Sequence, residues 1–270
     1  MKVSGNWFIE RIAIFVFVFS AFLPISAKAV DCGDIVTLAE VLDQSLSCTT
    51  NPAVTVVGPG SLDLNGFTVS CNGSGVGIRL EGTAANLTGG ALQDGVITNC
   101  GAGMVVLGDF HNIVGVNVMD NQSLGILFPA NNSNLIQSVI INNAGVGVVV
   151  TGINNNVSYN EVGQNEFEGI RLEDIASGSV VVNNHVYSSL NSGIVIESSN
   201  NLIAQNFVED NGPGDAGIYM PALGQSGNRI LGNQAENNLA FDLQDLNSAP
   251  CLNTWIGNVF DTSDGVCVDP

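Results

Sequence analysis

The chain repeats one short phrase, a glycine followed by alternating apolar residues, at intervals of 22 to 26 residues along most of its length. A fixed period in the twenties is typical of a solenoid, in which each repeat buries its apolar face only by stacking on its neighbours. The repeat therefore predicts one domain of stacked coils. Its copies are GIRLE at Gly77, GMVVL at Gly103, GILFP at Gly125, GVVVT at Gly147, GIRLE at Gly169, GIVIE at Gly193, GIYMP at Gly217 and a degenerate AFDLQ at Ala240.

The composition of the repeat predicts strands rather than helices. Leucine-rich repeats share this period, but they need leucine at fixed offsets and a helical side. Here valine and isoleucine dominate, and Asn and Gly interrupt each segment after about four residues, which are strand residues and strand lengths. Each repeat fits three short strands and three bends. We therefore predict an all-β protein, a single-stranded parallel β-helix of about nine coils with capped ends.

Asparagine recurs in three columns, which fit the three bends of each coil. Asn tolerates the left-handed backbone conformation of tight corners, and its side-chain amide can hydrogen-bond to the coils above and below. We therefore interpret nearly every Asn as architectural. The columns begin at Asn112, Asn117 and Asn121, and their second members are Asn134, Val139 and Asn143.

Residues 1–29 have the pattern of a secretory signal peptide. Lys2 and Arg11 precede an apolar stretch that extends to Ser26, and an A-x-A cleavage site ends at Ala29. The apolar stretch is shorter than the roughly 20 residues of a membrane span. We predict a protein that is secreted to the extracellular space, or is periplasmic if its source is bacterial.

The exported part divides into three segments. Residues 30–53 are expected to cap the first coil, and IVTLAEVLDQSL fits either an amphipathic helix or an extended cap strand. The parallel β-helix repeats occupy 54–263, and the tail 264–270 closes the C-terminal cap. Caps are expected because the end coils of a solenoid expose unpaired strand edges.

The charge of the exported part excludes several partners. Without residues 1–29 the chain has three basic residues against 24 acidic ones, a formal charge of −21, and it has no lysine. Nucleic acid and anionic membranes bind through Lys and Arg, so neither is an expected partner. Anionic polysaccharides are disfavoured unless a cation mediates, and no later segment is apolar enough to span a membrane.

All six cysteines lie in the exported part. An even number in an oxidising compartment predicts disulfides, and neighbours in sequence suggest one set among the fifteen pairings that six cysteines allow. A zinc site is disfavoured because no C-x-x-C spacing occurs and the chain has only two histidines. The suggested pairs are Cys32–Cys48, Cys71–Cys100 and Cys251–Cys267.

Several phrases resemble a known family. LDLNGFTVSC, GIRLEGT, LTGGALQDGVITNC and the closing CLNTWIGNVF look like the right-handed parallel β-helix repeat proteins of the pectate-lyase-like superfamily, to which NosD-type periplasmic proteins and other secreted proteins belong. The resemblance covers 54–267 and implies a right-handed parallel β-helix. It implies no single activity, because that superfamily contains lyases, hydrolases, esterases, epimerases and non-catalytic members.

The strand that follows each repeat glycine should place its second and fourth residues outward. The second-residue column begins at Arg79 and ends at Tyr219 and Asp242. In the superfamily that the chain resembles, this strand row is the face that binds glycans. The middle of the row is apolar, which favours self-association or a partner protein there. The residues expected to form that contact are Val105, Leu127 and Val149.

The charged part of the row offers a catalytic hypothesis. Glu173 and Glu197 occupy equivalent positions on adjacent coils, so their Cβ atoms are expected about 5 Å apart. Two carboxyls at that distance can serve as acid and base in glycosidic cleavage, with Arg171 orienting the substrate. The alternative is a solvated charge ladder in which Arg171 is a counter-ion. The residues expected to bind a substrate are Tyr219, Arg79 and Glu81.

The remaining motifs leave the function in two classes. Acidic groups near Glu168 and Asp215 could hold Ca²⁺, but they follow no calcium motif, and no other cofactor is expected. Copper would need clustered His or Met, whereas His111 and His185 are placed near bends and far apart. The sequence favours a non-catalytic carbohydrate- or partner-binding surface or matrix protein. The alternative is a polysaccharide-active enzyme, a lyase or glycoside hydrolase, that uses Glu173 and Glu197.

Overall fold

A computed structural model describes residues 29–91 and 94–268. In these residues there are thirty strands, numbered here in chain order, and no helix; all strands pair in parallel. The predicted signal peptide lies outside the described residues except for Ala29. Among the described residues, no helical segment has the length and apolar character needed to cross a membrane.

The strands form three sheets, each of which takes one strand from every coil. Sheet A consists of β1 (Ile35–Val36), β4 (Val54–Val57), β7 (Val76–Glu81), β10 (Ala102–Val106), β13 (Ile126–Phe128), β16 (Val148–Val150), β19 (Ile170–Leu172), β22 (Ile194–Ile196), β25 (Ala216–Met220), β28 (Phe241–Asp245) and β30 (Ser263–Asp264). Sheet B consists of β2 (Ala39–Val41), β5 (Ser61–Asp63), β8 (Asn86–Thr88), β11 (Asn112–Val114), β14 (Asn134–Ile136), β17 (Asn156–Ser158), β20 (Val180–Val182), β23 (Leu202–Ala204), β26 (Arg229–Leu231) and β29 (Thr254–Ile256). Sheet C consists of β3 (Leu46–Cys48), β6 (Thr68–Cys71), β9 (Val96–Thr98), β12 (Asn117–Met119), β15 (Val139–Ile141), β18 (Glu161–Gly163), β21 (His185–Tyr187), β24 (Phe207–Glu209) and β27 (Gln234–Glu236).

The predicted all-β parallel β-helix is confirmed, with about ten coils rather than nine. The extra coil comes from residues 35–48, which were expected to form a cap. They are extended and not helical, and β1, β2 and β3 pair with β4, β5 and β6 of the next coil. The helical alternative for IVTLAEVLDQSL is therefore wrong.

The repeat glycines set the register of sheet A correctly until the last repeat. Arg79 pairs in register with Val105, and the same outward column continues to Tyr219. The next member is Gln244 rather than the expected Asp242. Only four residues connect β27 to β28, against six between β24 and β25, so this corner is two residues shorter than the one before it. Asp242 is buried there, at 1% exposure.

The interior is a continuous apolar stack. From β5 onwards, each three-residue strand buries its middle residue in sheets B and C, and its first and third residues in sheet A. Ile113, Leu135 and Val157 illustrate this in sheet B, where they pair in register and are fully buried. Short strands of Val, Ile and Leu therefore suffice, because burial comes from the coils above and below rather than from strand length.

Buried polar side chains form ladders at the three corners. In the corner between sheets B and C, Asn184 Nδ2 donates to Asn206 Oδ1 at 3.0 Å, and Asn206 Nδ2 donates to Asn233 Oδ1 at 2.9 Å. Two of the three predicted Asn columns begin one residue after the position that the buried ladder uses. His111 and Ser133 lie in the ladder instead of Asn112 and Asn134, and Val116 and Ser138 instead of Asn117 and Val139.

The left-handed conformation belongs to the residue before most ladder positions. Asn154, Gln205 and Asn237 have φ of 56°, 55° and 58°, and each directly precedes a ladder Asn. The ladder Asn itself is turned inward, where its amide satisfies backbone groups of neighbouring coils. The sequence predicted that one Asn would both take the left-handed conformation and form the ladder hydrogen bonds. In the structure, these two roles belong to adjacent residues.

Three disulfides join Cys32 to Cys48, Cys71 to Cys100, and Cys251 to Cys267, as the spacing suggested. The first and last of them tie down the two ends of the coil stack. At the C-terminal end, Trp255 also donates from Nε1 to the buried Asp245 carboxylate at 3.0 Å. Both ends are thus held by contacts that a repeat in the middle does not need.

Candidate functional site

The outer face of sheet A carries a bidentate ion pair. Arg171 on β19 donates from Nε to Glu197 Oε2 at 3.0 Å and from Nη2 to Glu197 Oε1 at 2.9 Å. The two side chains are 34% and 18% exposed. A planar guanidinium that meets both carboxylate oxygens fixes the position of each group more firmly than a single contact would.

Glu173 and Glu197 lie on adjacent coils, as expected. Leu172 pairs with Ile196, which places the residues that follow them side by side, and Glu197 N–H donates to Leu172 O at 2.8 Å. Both oxygens of Glu197, however, accept from Arg171. Arg171 therefore sits as the counter-ion of Glu197, the arrangement that the sequence offered as the alternative to an acid/base pair.

The charges around this ion pair are mostly negative. Burial acts to lower the pKa of Arg171, but its hydrogen bond to Glu197 and the nearby Glu168 and Glu173 outweigh burial and raise that pKa. Burial raises the pKa of Tyr219, and the carboxylates of Asp215 and Glu197 raise it further. The site thus has a firmly charged guanidinium and a protonated phenol in an acidic surrounding.

A groove opens beside the ion pair at the corner between sheets A and B. It encloses about 490 Å³ and is lined by Thr151, Arg171, Glu173, Asp174, Ile175, Glu197 and Leu223. An adjoining cavity of about 400 Å³ shares Asp174, Glu197 and Leu223 and extends to Ser198, Ser199, Gly224 and Gln225. The two form one concave region centred on Glu197.

Loop lengths explain why the groove forms there. Five residues connect β22 to β23, whereas seven connect β19 to β20 and eight connect β25 to β26. The short turn that carries Glu197 is therefore flanked by two longer loops, which supply Ile175 on one side and Leu223 on the other. Sequence reasoning missed these wall residues, although the interval of 27 residues between Asn201 and Asn228 was a signal of the longer loop.

The other residues predicted to bind substrate are not all brought together. Tyr219 lies on β25, where it pairs with Val195 of β22, and Val195 pairs in turn with Arg171 of β19. Tyr219 therefore faces the same side of sheet A as Arg171. Arg79 and Glu81 lie on β7, four strands or about 19 Å from β19, and form an ion pair with each other. They belong to the same face but to a separate region of it.

The apolar middle of the face is partly covered. Val105 and Leu127 are half-buried, and Val149, the register partner of Arg171, is only 5% exposed. The self-association surface expected of these three residues therefore offers less free apolar area than the sequence indicated.

Comparison with known families identifies the lineage of the chain. The family described as "Periplasmic copper-binding protein (NosD)" matches residues 60–265. The chain belongs to the NosD family. A search of the curated proteins found no match to it.

Solved structures confirm the fold. The periplasmic alginate epimerase AlgG is 15% identical with a TM-score of 0.56, over 85% of this chain and 70% of AlgG. The Agl-KA catalytic domain is 15% identical with a TM-score of 0.52, over 78% of this chain and 49% of the other. Pectate lyase Pel9A is 16% identical with a TM-score of 0.50, over 73% of this chain and 58% of Pel9A. This NosD-family chain thus spans less than two thirds of the length of the Agl-KA catalytic domain and of Pel9A.

The described residues do not fit the copper site that the family description implies. Copper prefers clustered imidazole, thiolate and thioether ligands. Both His111 ring nitrogens contact backbone groups in a corner, at 3.0 Å from Ala85 N and 2.7 Å from Leu107 O. His185 begins strand β21 of sheet C, directly after the bend at Asn183, and lies three coils away from His111. All six cysteines are in disulfides, and no three His, Cys, Asp or Glu groups converge as a metal site in the described ranges.

The Arg171–Glu197 pair predicts a measurable coupling. In a double-mutant cycle with Arg171→Met and Glu197→Gln, we expect a coupling energy of about 1 kcal/mol in the free energy of unfolding. The reason is that a bidentate, half-buried ion pair lies at the upper end of the range of coupling energies found for surface ion pairs. Urea unfolding of the four proteins measures it. The same cycle on Arg79 and Glu81, which are more exposed, should give a smaller value. Equal couplings, or none at Arg171, would contradict the geometry.

Proposed function

We propose that this NosD-family protein is a non-catalytic carbohydrate-binding protein that holds a neutral glycan in the groove around Glu197. The observation that carries the proposal is the concave region on sheet A, where an oriented ion pair lies between two walls. Concave sites with a few fixed polar groups are typical of small-ligand binding. Arg171, Glu197 and Glu173 offer donors and acceptors to sugar hydroxyls, and Tyr219 offers a ring.

The charge of the groove favours a neutral ligand over a uronate polymer. Arg171 is matched by Glu197, which leaves Glu173 and Asp174 uncompensated at the groove and Glu168 and Asp215 close by. A polyanion would be repelled at such distances unless a cation intervened. Alginate and pectate, the uronates named for two of the structural neighbours, are therefore poor candidates for this chain.

Export supports a role outside the cytoplasm. The signal-peptide pattern at the N-terminus, three disulfides and a family described as periplasmic all agree with it. Disulfides persist in oxidising compartments such as the periplasm or the extracellular space. A glycan encountered there belongs to a cell surface or matrix.

A lyase or glycoside hydrolase is the second candidate. The observation that favours it is the adjacency of Glu173 and Glu197 beside a groove, because two carboxyls about 5 Å apart fit a retaining glycosidase. Against it stands Arg171, which occupies both Glu197 oxygens. An enzyme of this kind would need substrate to displace that guanidinium.

One experiment separates the candidates. We expect wild-type protein to bind neutral oligosaccharides on a glycan array and to release no reducing sugar. Tyr219→Ala should weaken binding about tenfold, or about 1.4 kcal/mol, whereas Tyr159→Ala, an exposed tyrosine at a distant corner, should change it less than twofold. Binding of uronates alone, or sugar release that Glu197→Gln abolishes, would refute the proposal.

A further inference from the structure

A second cluster of functional character lies on the outer face of sheet C. The rings of His185 and Phe207, which are register partners on β21 and β24, stack with centroids 5.2 Å apart. The ring of Tyr187, two residues further along β21, also stacks on His185, with centroids 4.7 Å apart. We name Tyr187, His185 and Phe207 the aromatic cluster. All three are half-buried, so part of each ring meets solvent.

Carboxylates border the aromatic cluster on both sides. Tyr187 Oη donates to Glu161 Oε1 at 2.7 Å, and His185 Nε2 lies 2.8 Å from Glu209 Oε1. Within the described residues the second oxygen of each carboxylate accepts no hydrogen bond. The rings of Tyr187 and His185 are therefore each held in place by one carboxylate oxygen, while the other oxygen of each carboxylate stays available to a ligand.

The local sequence is adapted to this arrangement. Gly163 is the register partner of Tyr187, and a Cβ there would lie 2.7 Å from the tyrosine ring, so only glycine lets the ring lie across β18. Burial and the contact with Glu161 raise the pKa of Tyr187 to about 12. The phenol thus remains a hydrogen-bond donor at neutral pH and keeps Glu161 beside the rings.

We propose that the aromatic cluster and its flanking glutamates bind a lysine- or arginine-bearing segment of a protein partner. Cationic groups are attracted to aromatic rings and to carboxylates at once, and arginine stacks on both His and Tyr or Phe rings. Within the described residues no Arg or Lys competes for this face, because the three arginines found there lie on β7, β19 and β26 of sheets A and B.

A protein segment fits this face better than a sugar. Small-molecule sites are concave, whereas the cluster stands on the outer surface of a parallel sheet. On the same columns, the preceding coils present Met119, Val139 and Ile141, which are half-buried. An apolar strip beside aromatic residues matches the composition of protein interface cores. The strongly negative formal charge, −19 for the full sequence, would also hasten encounter with a basic partner.

The inference is independent of the glycan groove, which lies on sheet A. The test uses a ten-residue peptide of alternating arginine and serine, and the same peptide with citrulline in place of arginine. By fluorescence anisotropy at neutral pH and physiological salt, we expect the arginine peptide to bind and the citrulline peptide to bind at least tenfold more weakly. Phe207→Leu, which keeps an apolar side chain but removes the ring, should weaken binding about fivefold.

A matched pair of charge variants separates a site from general attraction. Glu161→Gln with Glu209→Gln should weaken binding tenfold or more, whereas Asp31→Asn with Glu40→Gln, which remove the same charge from the first coil, should change it less than twofold. Equal losses in the two pairs would overturn the proposal, since they would show attraction to net charge alone. Binding of a glucosamine oligomer without binding of the peptide would also overturn it.

Discussion

Asp242→Asn is expected to release the last coil of the solenoid. Asp242 is 1% exposed, and its carboxylate accepts five hydrogen bonds. Oδ1 accepts from Asn238 N and Nδ2, and Oδ2 accepts from Asp261 N, Thr262 N and Thr262 Oγ1 at 2.9 to 3.1 Å. An asparagine retains one acceptor oxygen, so its amide would face two backbone N–H groups and a hydroxyl that lose their partner.

We expect this change to cost about 3 kcal/mol or more, because hydrogen bonds to a buried charge are worth about 1.5–3 kcal/mol each. The loss should be local, since each coil of a solenoid depends mainly on its neighbours. Hydrogen exchange should show reduced protection over residues 241–264 and unchanged protection near β16. Asp264→Asn, an exposed carboxylate at the same end that accepts one bond from Gln244, should cost less than about 0.5 kcal/mol.

The same residue predicts a dependence on pH. Burial acts to raise the pKa of Asp242, but the hydrogen bonds from Asn238 and Thr262 outweigh it and hold that pKa below its usual value. A carboxyl whose pKa is lowered by folding stabilises the folded state above its unfolded pKa of about 3.9 and loses that contribution as the pH falls through the folded value. The stability difference between wild type and Asp242→Asn should therefore shrink below about pH 4. A constant difference down to pH 2 would contradict this account.

Much of the fold was predictable because its determinants are local and periodic. Each repeat phrase, a glycine followed by alternating apolar residues, marks one strand of sheet A. The pairing between coils follows from the period alone, as the in-register column from Arg79 to Tyr219 shows. The disulfides were predictable for the same reason, since the members of each pair lie within 29 residues of each other. The family resemblance added no residue-level information beyond this.

The corners were harder because neighbouring polar residues have different roles. Asn131, Asn132, Ser133 and Asn134 are consecutive, yet only Ser133 turns into the ladder, and Asn132 takes the left-handed conformation with φ of 51°. Sequence composition does not distinguish the inward residue from its neighbours when several of them are Asn. The ladder is defined by the hydrogen bonds between coils, which require the coils to be stacked first.

The sequence predicted which strand row carries the candidate site, but it did not predict the contacts between the side chains of the site. Adjacency of Glu173 and Glu197 followed from the repeat, whereas the choice of partner for Arg171 depends on the direction in which its side chain leans. It leans towards β22 and Glu197 instead of pairing with Glu173 two residues along its own chain. The walls of the groove depend on the lengths of loops that lie outside the repeat phrase. An alignment of the repeat strands therefore does not identify Ile175 and Leu223 as wall residues.

Asn206→Ala should produce the second large loss, in a coil that has neighbours on both sides. Asn206 is 1% exposed, and its side chain takes part in four hydrogen bonds. Oδ1 accepts from Asn184 N and Nδ2, and Nδ2 donates to Val181 O and Asn233 Oδ1, all at 2.9 to 3.0 Å. Alanine would remove four hydrogen bonds from buried groups on the two neighbouring coils, for which we expect a cost of about 3 kcal/mol or more in the free energy of unfolding.

The adjacent residue provides the control. Gln205 is exposed and holds the left-handed conformation with φ of 55°, so Gln205→Ala changes the same corner without removing a ladder contact and should cost less than about 0.5 kcal/mol. Thermal and urea unfolding of both variants measure the difference. If the two substitutions cost the same, corner stability would derive from the left-handed turn rather than from the buried amides. Because a break at this position separates coils on both sides, Asn206→Ala should also broaden the unfolding transition, which a loss confined to a surface turn would not do.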